Sequence, residues 1–381
     1  MKKILLILFL FSFAPFVSAK ELIPNGRSGI LIEANSGKII YEKDKDLEYS
    51  VASMTKMVAQ IIILEEIEKG TIKWSDVVTV SSNASGMGGS QIYLEVGEKI
   101  SVEDLMKGIS VASGNDATVA MAEYISGTEE KFVERMNQKV KELGLKHTHF
   151  VNSTGLDEKD HYSSSYDMAM IARDLVVNHS EILRFSSIYE DYLRENTSRK
   201  FWLVNTNKLL RQYDGVDGLK TGHTDDALYC LATTAKRDQL RLIGIVLGEK
   251  DSKVRNQEMI ELLDYGFSNV KLKILKKKGE VIQTIPLSKT DKRDISLLLK
   301  DDLTVIEDVD DKNRKYQYKV VVSNIKYPIK KNEKIGKIFV TNNNQEISSG
   351  LLIANQDVKK LKYYELFIES IKKIVYGNYL M

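Results

Sequence analysis

The sequence holds one cysteine, Cys230, in 381 residues. No intrachain disulfide can form, and a cysteine-based metal cluster is excluded. Cys230 lies in an apolar run and reads as a small core residue. Histidines stand at 147, 149, 161, 179 and 223 without a His-Glu-x-x-His pattern, which leaves a zinc peptidase little support. Nothing here calls for a metal or an organic cofactor. The formal net charge is only +2, so no nucleic-acid footprint is visible. Residues 84–90 are glycine-rich but lack the Gly-Lys-Ser/Thr ending of a phosphate cradle, and read as a mobile loop bordering a cleft.

What remains is an ordinary folded composition, 43% hydrophobic and 28% charged, at a length that suggests two or three domains. The first residues are a targeting segment. Lys2-Lys3 precede an apolar run from Ile4 to Phe16, too short for a stable span, and Val17-Ser18-Ala19 offers small residues for cleavage. Residues 1–19 are therefore read as an export signal, with the mature chain beginning at Lys20; an uncleaved anchor is the alternative.

Beyond it, residues 29–33 and 38–41 alternate as strands around the turn Asn35-Ser36-Gly37. A long apolar helix ends near Lys69-Gly70. Helical periodicity covers 102–109, 117–125, 129–143 and 166–178. Strands at 229–235 and 240–247 are followed by a helix at 252–265. Strands at both ends with helices between predict an α+β domain over 20–266. Residues 267–357 are Lys/Asp-rich with short alternating runs, the pattern of a small all-β domain. In the tail, 358–381, Leu361, Tyr364, Phe367, Ile368, Ile371, Ile374 and Val375 fall at helical spacing with lysines largely off the stripe. That pattern suits an interfacial membrane helix; a helix docked on its own domain is the other reading.

The chemistry gathers around Val51-Ala52-Ser53-Met54-Thr55-Lys56, at the head of the apolar helix. Positions i and i+3 share a helix face, so Ser53 and Lys56 lie side by side. A serine is a weak nucleophile until a base takes its proton, and a lysine serves as base when burial or nearby positive charge lowers its pKa. Ser-x-x-Lys recurs at Ser268/Lys271, Ser323/Lys326 and Ser370/Lys373, where an ordinary polar pair is the plain reading. Ser53 differs because Ser113-Gly114-Asn115 and Lys220-Thr221-Gly222 follow it in order, a triplet of the kind used by penicillin-binding proteins and class A β-lactamases. Acyl transfer uses each piece. Ser53 and Lys56 are nucleophile and base. Ser113 offers a proton path to the leaving amine. Asn115 can hold a peptide amide, and Lys220 adds positive charge. Gly222 lets substrate backbone approach. A loop turn at 113–115 and a strand-edge charge at Lys220 are the bland alternatives.

Residues 20 to about 360 resemble the D-alanyl-D-alanine carboxypeptidase family, the low-molecular-mass penicillin-binding proteins. Gly114-Asn115-Asp116-Ala117, Gly144-Leu145-Lys146-x-Thr148-His149-Phe150 and Asp217-Gly218-Leu219-Lys220-Thr221-Gly222-His223-Thr224 carry that resemblance beyond the triplet. It implies a β-lactamase/transpeptidase-like fold: an antiparallel sheet with helices on both faces, a helical insert carrying Ser113, and a β-rich stalk. It implies a peptidoglycan pentapeptide ending in D-Ala-D-Ala as substrate and β-lactam antibiotics as acylating ligands. The location it implies is peripheral, on the outer face of the bacterial cytoplasmic membrane. The backbone N–H groups of Ser53 and His223 would form the oxyanion hole, and Thr221 and Arg255 would hold the substrate's terminal carboxylate. One departure stands out: Ala227 is followed by Leu228, where the family often has glycine. A β-lactamase, a D,D-endopeptidase and a catalytically idle wall scaffold are the rival readings.

Overall fold

The computed structural model describes residues 21–309, 314–323, 325–343 and 345–376. Residues 1–19, read above as an export signal, lie outside the described residues.

Strand alternation builds the central layer. A five-stranded antiparallel sheet runs in the order Ile39–Lys43, Ser28–Glu33, Leu240–Glu249, Leu228–Arg237, Val216–Thr224. Successive side chains point to opposite faces. Ile30, Ile32, Ile243, Ile245 and Leu247 join one core. Leu31, Leu231, Leu242 and Val246 join another with Met259, Leu262 and Leu263 of the helix Ser252–Asn269. Helices thus cover both faces, as the resemblance implies. On the first face lie the helices Lys56–Glu68 and Ser165–Val177. The helix Lys56–Glu68 is buried nearly all round because Ile61-Ile62-Ile63-Leu64 leave it no polar face.

Between those two helices sits the helical insert. Val102–Lys107, Asn115–Ser126 and Glu129–Glu142 are α-helical. Ser101 and Thr128 cap the first and third of these by accepting the Asp104 and Lys131 amides. The residues expected to complete a helix to 109 instead form a π-helical turn, Gly108–Ala112. A hairpin of Glu190–Leu193 and Phe201–Val204, not foreseen from the sequence, packs beside that turn.

The C-terminal β region is a second five-stranded sheet, ordered Val281–Pro286, Asp294–Leu299, Gln345–Ala354, Lys334–Asn342, Gln317–Val322, around Ile295, Leu297, Val340 and Leu352. A separate strand pair, Val270–Lys276 with Leu303–Asp308, sends Val270 and Ile306 into the core beneath the first sheet. The terminal helix Tyr363–Tyr376 exposes Tyr363, Tyr364, Phe367, Ile368 and Ile371. Among the described residues no helix is long and apolar enough to cross a membrane.

Candidate active site

Ser53 does not open the α-helix itself. It lies in a 3₁₀ turn, Ala52–Thr55, that runs directly into the helix at Lys56. The i, i+3 relation survives: Lys56 Nζ is 2.7 Å from Ser53 Oγ. Ala52, just before Ser53, is held at φ 46°, a left-handed conformation that costs a non-glycine residue about 1–2 kcal/mol. Such strain concentrates at functional positions. Lys56 is fully buried. Burial first, then the Lys220 charge, hold its amine well below the usual lysine range, with Asp116 opposing. An amine whose pKa is lowered, set beside a serine hydroxyl, is the arrangement a general base requires.

The second bond of that amine was not legible as a motif. Lys56 Nζ donates to the Thr154 carbonyl at 2.7 Å. Thr154 sits in a loop that has no strand partner, so side chains bond its backbone. Asn137 brackets Phe150 at both its amide and carbonyl, and Glu129 accepts from Ser153. Asn152 Oδ1 accepts from the Thr154 and Gly155 amides. Gly155 lies at φ +84°, and a Cβ there would stand 1.9 Å from the Ala52 carbonyl oxygen. Glycine lets the loop press on the Ser53 turn. Asn-Ser-Thr-Gly is the turn chemistry that marks it in the sequence. Asp157, just beyond, accepts from Ser50 at 3.3 Å and Thr224 at 2.6 Å, tying the loop to the strand that carries Lys220.

Ser113 closes the π-turn in the left-handed conformation, φ 62°. π-turns of this kind are frequent at functional sites. Asn115 then starts a helix; its Nδ2 donates to Gly88 O at 2.7 Å, so the glycine-rich segment borders the site. Its Oδ1 is buried without a partner among the described residues, an acceptor left open. Asp116 holds the same segment by accepting the Ile92 and Leu94 amides. Gln60, on the Lys56 helix, donates to Ser110 Oγ at 2.9 Å and joins the two pieces.

Lys220, Thr221, Gly222 and His223 lie on the edge strand Val216–Thr224. A Cβ at Gly222 would be 2.5 Å from the Val51 carbonyl, so the strand edge lies directly against the serine turn. Lys220 is buried and its Nζ donates to the Thr221 carbonyl at 3.1 Å. Burial, then the Arg255 charge, bring its pKa down to about 7. Thr221 Oγ1 donates to Thr206 Oγ1 at 2.7 Å. His223 is exposed at the strand's end. Arg255 is no surface charge: it is 5% exposed beneath the strand Leu228–Arg237, with Nη1 donating to Cys230 O at 3.3 Å and two further nitrogens to Asn256. Its charge is the second cause of the lowered Lys220 pKa. Cys230 is buried, its thiol pushed up to about 12 chiefly by burial, as befits a core residue.

A polar cleft of about 1220 Å³ opens between the first hairpin and the C-terminal sheet. Two of its lining residues, Ser36 and Lys38, are tied to Glu33 and Asp308, and none of the three motif pieces lines it.

A serine and a buried lysine meet at 2.7 Å, with the Ser-x-Asn and Lys-Thr-Gly pieces on adjoining walls. Residues 17–251 match the family model described as D-alanyl-D-alanine carboxypeptidase. The chain belongs to that family. Residues 271–360 match the C-terminal domain of penicillin-binding protein 5. The chain is 43% identical over 364 residues to D-alanyl-D-alanine carboxypeptidase DacF of Bacillus subtilis, covering 93% of this chain and 92% of that protein. It is 34% identical to D-alanyl-D-alanine carboxypeptidase DacA of Escherichia coli, over 93% and 90%. Penicillin-binding protein 5 of Haemophilus influenzae superposes with a TM-score of 0.72 at 32% identity, over 90% of this chain and all of that one. Membership gives the Ser-x-x-Lys, Ser-x-Asn and Lys-Thr-Gly pieces one setting: a penicillin-binding, transpeptidase-like domain followed by a β-rich one.

Proposed function

We propose that Ser53 is the acylated nucleophile and Lys56 its base, in a serine-type D-alanyl-D-alanine carboxypeptidase acting on peptidoglycan stem peptides. The observation that carries this is the 2.7 Å approach of Ser53 Oγ to the buried Lys56 amine, whose pKa burial and the Lys220 charge lower. Ser53 Oγ attacks the carbonyl of the penultimate D-Ala, and its proton passes to Lys56. Ser113 relays a proton to the leaving amine as the C–N bond breaks and terminal D-Ala departs. Water then cleaves the ester. The open Oδ1 of Asn115 suits a substrate amide N–H. The backbone N–H groups of Ser53 and His223 serve the oxyanion, a role typically worth about 3 kcal/mol per donor. The close approach of Gly222 to Val51 supports that pairing. Thr221 and Arg255 take the terminal carboxylate, and Lys220 adds positive charge near Ser53 and Lys56. β-Lactams mimic the scissile bond and trap Ser53. Mass spectrometry after penicillin treatment tests the assignment. The adduct is expected on the peptide containing Ser53 and absent in Ser53→Ala; an adduct elsewhere refutes it.

Residues 1–19 act as the export signal, 20–266 as the peptidase domain, 267–357 as the β domain and 358–381 as a peripheral membrane anchor. The exposed Tyr364, Phe367, Ile368 and Ile371 support the anchor, since an apolar helical face of this kind seats at a lipid headgroup boundary. Co-flotation with anionic vesicles is expected for the mature chain and not for a chain ending at 357; equal flotation of both would overturn the anchor.

A further inference from the structure

His161 belongs to none of the motifs above. It is 6% exposed, and its ring lies between the serine–lysine turn and the loop that carries Thr154, packed on Phe150 at 5.3 Å. The Val151 N–H donates to Nδ1 at 3.1 Å. That nitrogen is the acceptor, so Nε2 carries the proton and donates to Thr55 Oγ1 at 2.8 Å. Thr55 is buried between Ser53 and Lys56. Glu129, Asn137 and Asn152 also bond this loop, but among the described residues their bonds do not reach the serine–lysine turn. His161 bonds both sides.

We propose that neutral His161 is a positioning residue for acyl transfer, bonded at once to Thr55 and to the Val151 amide so that the Thr154 carbonyl is set on the Lys56 amine. The inference rests on Lys56 as the base. The groups facing the ring are His149 and Asp157 from its own loop and Lys56 from the helix. Burial, then His149 and Lys56, with Asp157 opposing, bring its pKa down to about 4. An imidazolium would set a second N–H against the Val151 N–H and a positive charge beside Lys56, releasing the loop.

The test follows acylation of the mature full-length chain by a fluorescent penicillin from about pH 4 to pH 9. His161→Phe keeps a ring and loses both bonds. His161→Gln offers one acceptor and one donor and does not ionise. A folded Phe variant is expected to lose on the order of tenfold to a hundredfold in the limiting acylation rate, a misplacement effect, with little change in reversible antibiotic affinity. The Gln variant is expected to keep most of the rate and to show a shallower acid limb, one ionisation having gone. A folded Phe variant at the wild-type rate, or a Gln variant as slow as Phe, overturns the proposal. Should the Phe variant not fold, the Gln profile decides, together with ¹⁵N shifts of His161 in the wild type. A neutral Nε2–H ring at about pH 6 supports the role, and a protonated one contradicts it. Lys56→Ala run alongside separates the two claims. Its acylating normally would sink the base assignment; a slow Lys56→Ala beside a fast His161→Phe would sink only the positioning role.

Discussion

Gly155→Ala is the sharpest perturbation of the site because its geometry fixes the outcome. The added Cβ would lie 1.9 Å from the Ala52 carbonyl oxygen, 2.3 Å from its carbon and 2.9 Å from Thr55 Oγ1. Two of those atoms are backbone of the serine turn and have nowhere to go. Ordinary contact needs about 3.5 Å, so the loop must retreat by roughly 1.5 Å. The Thr154 carbonyl, at 2.7 Å from Lys56 Nζ, then passes out of hydrogen-bond range. A displacement of that size costs on the order of a hundredfold in rate. The φ of +84° adds about 1–2 kcal/mol of strain for alanine. Gly144→Ala is the control: it has φ +72° and nothing within 4 Å, so it carries the strain without the clash. Both variants should melt earlier, and only Gly155→Ala should acylate slowly with a fluorescent penicillin. A Gly155→Ala protein that folds and acylates within about twofold of wild type would refute the role given to this loop.

Lys56→Ala should lower the acylation rate by about 10²–10⁴-fold, read in stopped flow with the same probe; because burial and the Lys220 charge lower the pKa of the amine, the wild-type rate should fall as the pH drops and the amine gains a proton. Arg255→Gln should raise KM for a D-Ala-D-Ala peptide by about tenfold with a smaller effect on kcat, measured by D-Ala release, since a carboxylate contact made in both ground and transition states acts on binding. His161 should make the fold acid-sensitive. The unfolded ring gains its proton below about pH 6.5, while the folded ring stays neutral down to about 4. The unfolded state therefore binds more protons across that window, and about 3 kcal/mol is lost as pH falls through it. Urea titrations at several pH values should show that loss in wild type and its reduction in His161→Gln.

The serine–lysine pair was readable because helical spacing places i and i+3 together whether the turn is α or 3₁₀. The central sheet was readable because Ile30-Leu31-Ile32 and Ile243 to Leu247 send alternate residues into two cores. The hairpin at 190–204 was not, since its strands are four residues each and a charged stretch divides them. Gln345–Ala354 is interrupted by Ser348-Ser349-Gly350, which hides its alternation. Thr154 acts through a backbone carbonyl, which leaves no side-chain motif to find. His161 entered only as one histidine outside a zinc pattern, because its role depends on a loop folding back over the Lys56 helix from about a hundred residues away. Arg255 was reached through resemblance alone, and its burial beneath the strand explains why neither spacing nor charge pattern singled it out.

The most direct test of the account is D-Ala release from an N-acylated L-Lys-D-Ala-D-Ala peptide by the mature chain, with Ser53→Ala in parallel. Stoichiometric release by wild type and none by Ser53→Ala is the predicted result. Release that persists in Ser53→Ala, or a folded wild-type protein that binds penicillin yet frees no D-Ala, would contradict it.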